Sequence, residues 1–413
     1  MRSIAHLPAL RSFRHLAFRR FYVGQTLSVI GSWIQTIALG WLVYRLTASP
    51  FLLGVTTFLT QAPILFLTPV AGVLTDRVDR HALLLITQAL LAVQALTLGA
   101  LTLAGLGSVP TLLAAAGVQG LITAFETPAR QSFLSVLVPD RTDLPNAIAL
   151  NSFLMNSGRL IGPGIAGVLL AATSEGVCFL VNGVSFLAVI AVVLKTPRHG
   201  LTAASARKSP DEGFLHGIRE AWRFRPARAL LPLVMTISLF ASPYATLMPA
   251  VVKEVLHGGP GTLGLFVGMA GLGGLCGTAM LAAWRDVESL PRVTVITCAV
   301  TGLALLTFAL SRNYWIALLA MPAIGFGIIA TAASVNMVLQ TVTPPEKRGR
   351  VIGLYISAFL GLAPFGALWA GFLATWVGSL TTLAIGGGVC LIASAFLRGS
   401  ARSATLPEVS LPQ

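Results

Sequence analysis

Long apolar runs, broken only by Pro, Gly and clustered charge, recur from one end of this chain to the other. Twelve of them reach roughly 20 residues or more, the length a helix needs to cross the hydrocarbon of a bilayer. Lipid offers no partner to a free backbone N–H or C=O, so such runs must satisfy their own hydrogen bonds as helices. A barrel would need alternating segments of roughly ten residues, and these runs do not alternate. Of 413 residues, 55% are hydrophobic and only 10% charged, against roughly 25% charged in an ordinary soluble domain. So few charges cannot cover the surface of a soluble protein of this size. This excludes a soluble enzyme, a disordered chain and a soluble nucleic-acid binder. The cysteines Cys178, Cys276, Cys298 and Cys390 lie in apolar runs without CxxC or metal-ligand spacing, and read as small buried hydrophobes. No metal or cofactor is expected.

Charge sets the orientation. The net charge is +14, and 24 of the 28 Lys and Arg residues fall on one set of alternate connections and tails. Arg45, Lys253 and Arg312 fall on the other side, and Arg159 lies inside a run. Lys and Arg collect on the cytoplasmic side, so both termini are expected in the cytoplasm, the chain spanning the inner membrane many times. A cleaved signal peptide is not expected, because the first run is too long and no small-residue cleavage site follows it.

One long polar segment, residues 196–227, divides the runs six and six. It separates a bundle over 1–195 from a second over 228–398, with a tail over 399–413. Ser209-Pro210-Asp211-Glu212 has the form of a capped helix start, and the residues after it place Phe214, Leu215, Ile218 and Trp222 at helical spacing. A short amphipathic helix at the membrane surface is expected there. The halves repeat: Pro139-Asp140-Arg141 precedes the fifth run and Pro345-Glu346-Lys347 the eleventh, and Gly162-Pro163 is answered by Ala363-Pro364. The expected fold is all-α, with twelve transmembrane helices in two pseudo-symmetric six-helix bundles. Repeated halves around a shared site are a transporter plan.

The connection after the second run reads Gly72-Val73-Leu74-Thr75-Asp76-Arg77-Val78-Asp79-Arg80. Gly72 permits close helix packing; Asp76 suits a helix N-terminus or an arginine; Arg80 suits an acid on a neighbouring span. Glu126 and Arg130, four apart at the inner end of the fourth run, can share one helix face. These five residues form a candidate latch between two conformations. In the fifth run, Gly158, Gly162, Pro163 and Gly167 make a small-residue seam with a bend. The same stretch matches a G-x-G-x-x-G string, but no strand precedes it, so nucleotide binding is rejected.

The loop resembles the G-x-L-x-D-R-x-G-R signature of the major facilitator superfamily, with Asp79 where that family usually has Gly. The fifth run is similar to the antiporter signature of exporting facilitators, with Ala166 replacing one Gly. Glu126-Thr127-Pro128-Ala129-Arg130-Gln131, Phe18–Gln25, Trp41–Tyr44, Asn146-Ala147, Leu150–Ser152 and Arg348–Val351 resemble a subfamily containing the enterobactin exporter and multidrug exporters. The resemblance covers nearly the whole chain. It implies the major facilitator fold, alternating access, and export of siderophores, antibiotics or other lipophilic compounds.

Arg159 lies near the middle of its run, where a charge costs roughly 2.5–3.5 kcal/mol. It is expected to face a wet cavity and an anionic or polar part of the substrate. Gln25, Trp33, Gln35, Gln61, Gln119, Asn151, Asn156, Tyr244, Asn336 and Tyr355 are the other cavity candidates. Proton coupling needs a titratable group within the membrane. No acid lies at mid-run, the six His residues read as tail or loop residues, and Glu126 and Asp76 are the acids nearest the membrane. The expectation is a monomeric exporter of a small amphipathic molecule, coupled to protons, with membrane lipid around it and no nucleic-acid partner. A lipid or lysophospholipid flippase and a non-transporting sensor or scaffold are the alternatives. No enzyme is expected, because no H-E-x-x-H, G-x-S-x-G or Walker motif occurs.

Overall fold

A computed structural model describes residues 8–138, 140, 142–196 and 224–402. The amphipathic helix expected from Ser209 lies outside the described residues, as does the tail beyond Arg402. Among the described residues there is no strand. A 3-10 turn, Pro8–Arg14, leads into α1, Leu16–Thr47. There follow α2 (Pro50–Arg77), α3 (Arg80–Leu103), α4 (Val109–Leu137), α5 (Leu144–Ala172) and α6 (Glu175–Leu194). The second half contains α7 (Arg225–Glu254), α8 (Pro260–Ala282), α9 (Leu290–Leu310) and α10 (Tyr314–Val342). Next come α11, built from Pro345–Ile356, Ser357–Gly361 and Ala363–Val377, and α12 (Ser379–Arg402). The described residues thus contain 12 helices long and apolar enough to span a bilayer.

Proline marks where these helices begin. Pro50, Pro110, Pro145, Pro260, Pro291 and Pro345 occupy first-turn positions of α2, α4, α5, α8, α9 and α11. A first-turn proline loses no helical hydrogen bond, and its ring presets the backbone angle. The α1–α2 and α7–α8 connections, equivalent in the two halves, each carry a left-handed non-glycine residue. These are Ala48 (φ 48°) and His257 (φ 47°). Such a conformation costs about 1–2 kcal/mol, so its recurrence at matched places supports the repeat.

Two helices are interrupted by π-type segments, Ile237–Ala241 in α7 and Ser357–Gly361 in α11. Each is followed closely by a proline, Pro243 or Pro364. Proline has no N–H to give, so it leaves a carbonyl one turn back unclaimed. Other side chains take these carbonyls. The Trp369 indole N–H donates to Leu239 O at 2.7 Å, and the Ser238 hydroxyl donates to Phe359 O at 2.6 Å.

The chain divides into two compact units. The first comprises Met1–Ala48, Leu59–Lys208 and Gly258–Gly268; the second comprises Ser49–Phe58, Ser209–His257 and Met269–Gln413. Each unit therefore includes a short piece from the opposite half of the sequence. In the first unit that piece is the start of α8, seated on α5: a Cβ added at Gly167 would lie 2.8 Å from the Gly264 Cα. In the second unit it is the start of α2, seated on α11: a Cβ added at Gly54 would lie 2.6 Å from the Ala367 carbonyl oxygen. Only glycine permits backbones this close.

The core of the first unit at the N-terminal end of α1 gathers Phe18, Phe21, Leu84, Phe133, Leu137 and Val193. Two sequence expectations change here. His81 is not a loop residue: it is the second residue of α3, is buried, and bonds through Nε2 to Val193 O at 2.7 Å. Asp79 accounts for the position, because its side chain caps α3 by accepting from the His81 N–H at 2.9 Å. Cys178, Cys298 and Cys390 are buried, but Cys276 is exposed on α8.

Candidate functional site

The proposed seam on α5 has two working faces. A Cβ at Gly158 or Gly162 would collide with Val29 or Trp33 of α1. Pro163 and Gly167 instead face α8, where a Cβ at Gly264 would stand 2.5 Å from Pro163 O. The two pairs are five residues apart, which at about 100° per residue places the second pair about 140° around the helix from the first. Arg159 lies between these faces. Its guanidinium carbon is 5.9 Å from the centre of the Trp33 ring, within cation–π range. The arginine is exposed, and among the described residues no carboxylate pairs with it. Pro163 also deprives the Arg159 carbonyl of its usual helical donor.

Two further candidates lie on the same two helices as this pair. Gln25 shares the α1 stripe of Val29 and Trp33, is 3% exposed, and its Oε1 has no hydrogen-bond partner. Asn156, half-buried one turn before Arg159, donates to Ser152 O at 2.9 Å. Asn151 is half-buried on α5, and Gln61 is exposed on α2.

Gln35 and Gln119 belong to a different arrangement. Gln35 is fully buried; its amide N–H groups donate to Gln94 (3.2 Å) and Gln119 (3.0 Å), and its Oε1 accepts from Asn182 at 2.7 Å. Gln94 continues to Ala115 O at 3.3 Å. Four helices, α1, α3, α4 and α6, are thereby tied by amides. Gln94 and Asn182 were not among the sequence candidates; the available signal was a lone amide inside an apolar run.

Of the five latch residues, the structure brings together Glu126 and Arg130. Arg130 Nε donates to Glu126 Oε1 at 2.9 Å, and Gln88 Nε2 donates to the same oxygen at 3.1 Å. Glu126 is 6% exposed, so this is a buried pair with a neutral third member. Arg80 is half-buried at the start of α3, and the Asp76 side chain lies outside the description. At Gly72 an added Cβ would meet nothing within 4 Å, so close packing is not what this glycine provides here.

Sequence reasoning missed a second buried carboxylate. Asp143, 2% exposed at the start of α5, meets Arg14 Nε at 2.7 Å, His15 Nε2 at 2.9 Å and Arg11 Nε at 3.4 Å. The Ser12 hydroxyl donates to Asp143 O at 3.0 Å, and the Ser12 N–H donates to Asn146 Oδ1 at 3.0 Å. The N-terminal turn is thus clamped onto the α4–α5 connection. Beside it, the hydroxyl and N–H of Thr142 bonded to Asp140, followed by the Arg14 charge, hold the Asp140 carboxyl below its usual range.

In the second unit, the Tyr355 hydroxyl is buried and donates to Ala332 O at 3.0 Å. Asn336 is half-buried and accepts from Gln340 Nε2 at 3.0 Å. Tyr244 is half-buried at the first turn after the π segment of α7. No trio of His, Cys, Asp or Glu among the described residues is arranged to hold a metal ion.

Known proteins share this architecture. The chain is 26% identical over 387 residues to a staphyloferrin A transporter of Staphylococcus aureus, covering 89% of this chain and 92% of that one. It is 26% identical over 359 residues to the multidrug efflux pump Tap of Mycolicibacterium fortuitum, covering 84% and 87%. The crystal structure of the nucleoside transporter NupG superposes with a TM-score of 0.76 over 93% of this chain and 98% of that one, at 9% identity, a likeness of fold alone. The transmembrane secretion effector model matches residues 8–410. With twelve spans, the repeated halves and a match running almost end to end, the chain belongs to the transmembrane secretion effector family of major facilitator transporters.

Proposed function

We propose that this transporter exports a small amphipathic molecule carrying an anionic or strongly polar group, by alternating access across the inner membrane, with both termini in the cytoplasm. The observation that carries the reading is Arg159. An exposed guanidinium midway along a membrane helix costs roughly 2.5–3.5 kcal/mol, and here it lies over Trp33 without a carboxylate partner among the described residues. That pair offers a cation for an anionic group and an aromatic face for an apolar one, which suits siderophores and lipophilic antibiotics. The named activities of the relatives, staphyloferrin A transport and multidrug efflux, support this substrate class. The proton is the coupling ion we assign, with Glu126 as its site: protonation would cancel the charge that holds Arg130. The working form is a monomer.

Efflux from loaded proteoliposomes tests the reading. Arg159→Ala should slow export of anionic compounds about tenfold and of neutral ones less than about twofold, as expected when a charged contact worth about 1.5 kcal/mol is lost. Equal slowing of both would make Arg159 structural. No efflux of any such compound by the intact protein would refute export.

A further inference from the structure

The outer side of the α1–α6 pair carries a feature that the transport reading does not use. A groove of about 520 Å³ runs between these helices, lined by Arg19, Arg20, Val23, Leu27, Ala191 and Lys195. Gly24 and Ala188 form its floor: a Cβ at Gly24 would stand 3.2 Å from the Ala188 carbonyl oxygen. The groove is divided by chemistry. Arg19 and Arg20, in the first turns of α1, and Lys195, which ends α6, converge at one end. Apolar side chains line the rest, with Val23 59% and Leu27 51% exposed.

All three cations are exposed, and none has an acidic partner among the described residues. Arg19 and Arg20 also stand near a helix N-terminus, where the backbone dipole disfavours positive charge. Three unneutralised cations above an apolar furrow are complementary to one chemistry: a phosphate head with a hydrocarbon tail. Basic pockets between membrane helices, at the level of the headgroups, bind anionic lipids in this way. We propose that this groove is a binding site for an anionic phospholipid of the leaflet nearest the N-terminal end of α1. The phosphate sits among Arg19, Arg20 and Lys195, and an acyl chain lies along Val23 and Leu27.

The test uses the purified full-length chain in mild detergent, titrated with phosphatidylglycerol or phosphatidylcholine, with bound lipid counted by native mass spectrometry. The triple variant R19Q/R20Q/K195Q should bind phosphatidylglycerol about a hundredfold more weakly, because each headgroup-level cation is worth roughly fivefold in affinity. A second triple, R285Q/R292Q/R398Q, removes the same charge from exposed positions elsewhere and should stay within about twofold of the parent. Ala191→Phe keeps every cation but obstructs the furrow, and should also weaken phosphatidylglycerol binding. Equal loss in both triples would reduce the effect to net charge and overturn the site. Unchanged binding in the first triple, or equal binding of phosphatidylcholine by the parent, would overturn it too. Inorganic phosphate displacing phosphatidylglycerol at equal concentration would show an anion site without lipid recognition, and would likewise overturn the proposal.

Discussion

The two units are braced by different means. In the first, beside the bonds of His81 and Gln94 to backbone carbonyls, networks of side chains bond to one another: Gln35 with Gln94, Gln119 and Asn182, and Glu126 with Arg130 and Gln88. In the second, beside a Thr297–Thr331 hydroxyl pair at 2.8 Å, hydroxyl and indole groups bond to backbone carbonyls: Ser238 to Phe359, Trp369 to Leu239 and Tyr355 to Ala332. Two of those carbonyls lie in π segments next to a proline. An amide or ion pair between helices fixes one register, and breaking it leaves buried polar atoms behind. A π segment is already a departure from regular winding, and such departures recur at functional sites. The first unit is thus built to hold a register, and the second to allow its helices to bend.

The largest test of this contrast is Arg130→Ala. It leaves the buried Glu126 carboxylate with Gln88 but without its cation, and should lower stability by about 3–5 kcal/mol. Thermal melting in detergent reads the change, and adding Glu126→Gln should restore much of it. Failure of the second change to restore anything would show that the pair is not what Arg130 supplies. Next in size is Gln35→Leu, which removes three amide bonds and should cost about 2 kcal/mol at roughly 0.6 kcal/mol each. Trp369→Phe in the second unit removes a single bond to a π segment, and should cost about 0.6 kcal/mol on the same scale. If the two substitutions cost the same, the contrast between the units fails.

The smallest effect is one of pH. The Asp140 carboxyl has a lowered folded value, so its contribution is present above the unfolded value of about 4 and fades as pH falls through the lower folded one. Asp140→Asn should lower stability slightly at neutral pH, match the parent well below about pH 4, and so flatten the acid loss of stability. An identical acid profile for the variant would mean that the Arg14 and Thr142 contacts do not matter to the folded state.

The spans were legible in the sequence because run length is a local property, as was Glu126–Arg130, which needs only helical spacing. Pairs joined by tertiary packing were not. Trp33 and Arg159 were each singled out, yet nothing in either run says that they meet. Nothing in the sequence sets Asp143 apart from Asp140, and only the N-terminal turn folding back on it reveals a buried carboxylate. His81 reads as a loop residue because it follows charged Arg80. The cap supplied by Asp79 starts the helix early enough to bury the imidazole against Val193.

One property of α5 reaches beyond packing. Its glycines serve α1 on one side and α8 on the other, so this stretch is indexed like a two-sided key. Deleting or inserting a single amino acid between positions 158 and 167 would rotate one set of notches by about 100° relative to the other. Reading frame along those ten positions is therefore constrained as tightly as composition, and natural variation there should proceed by substitution rather than by changes in length.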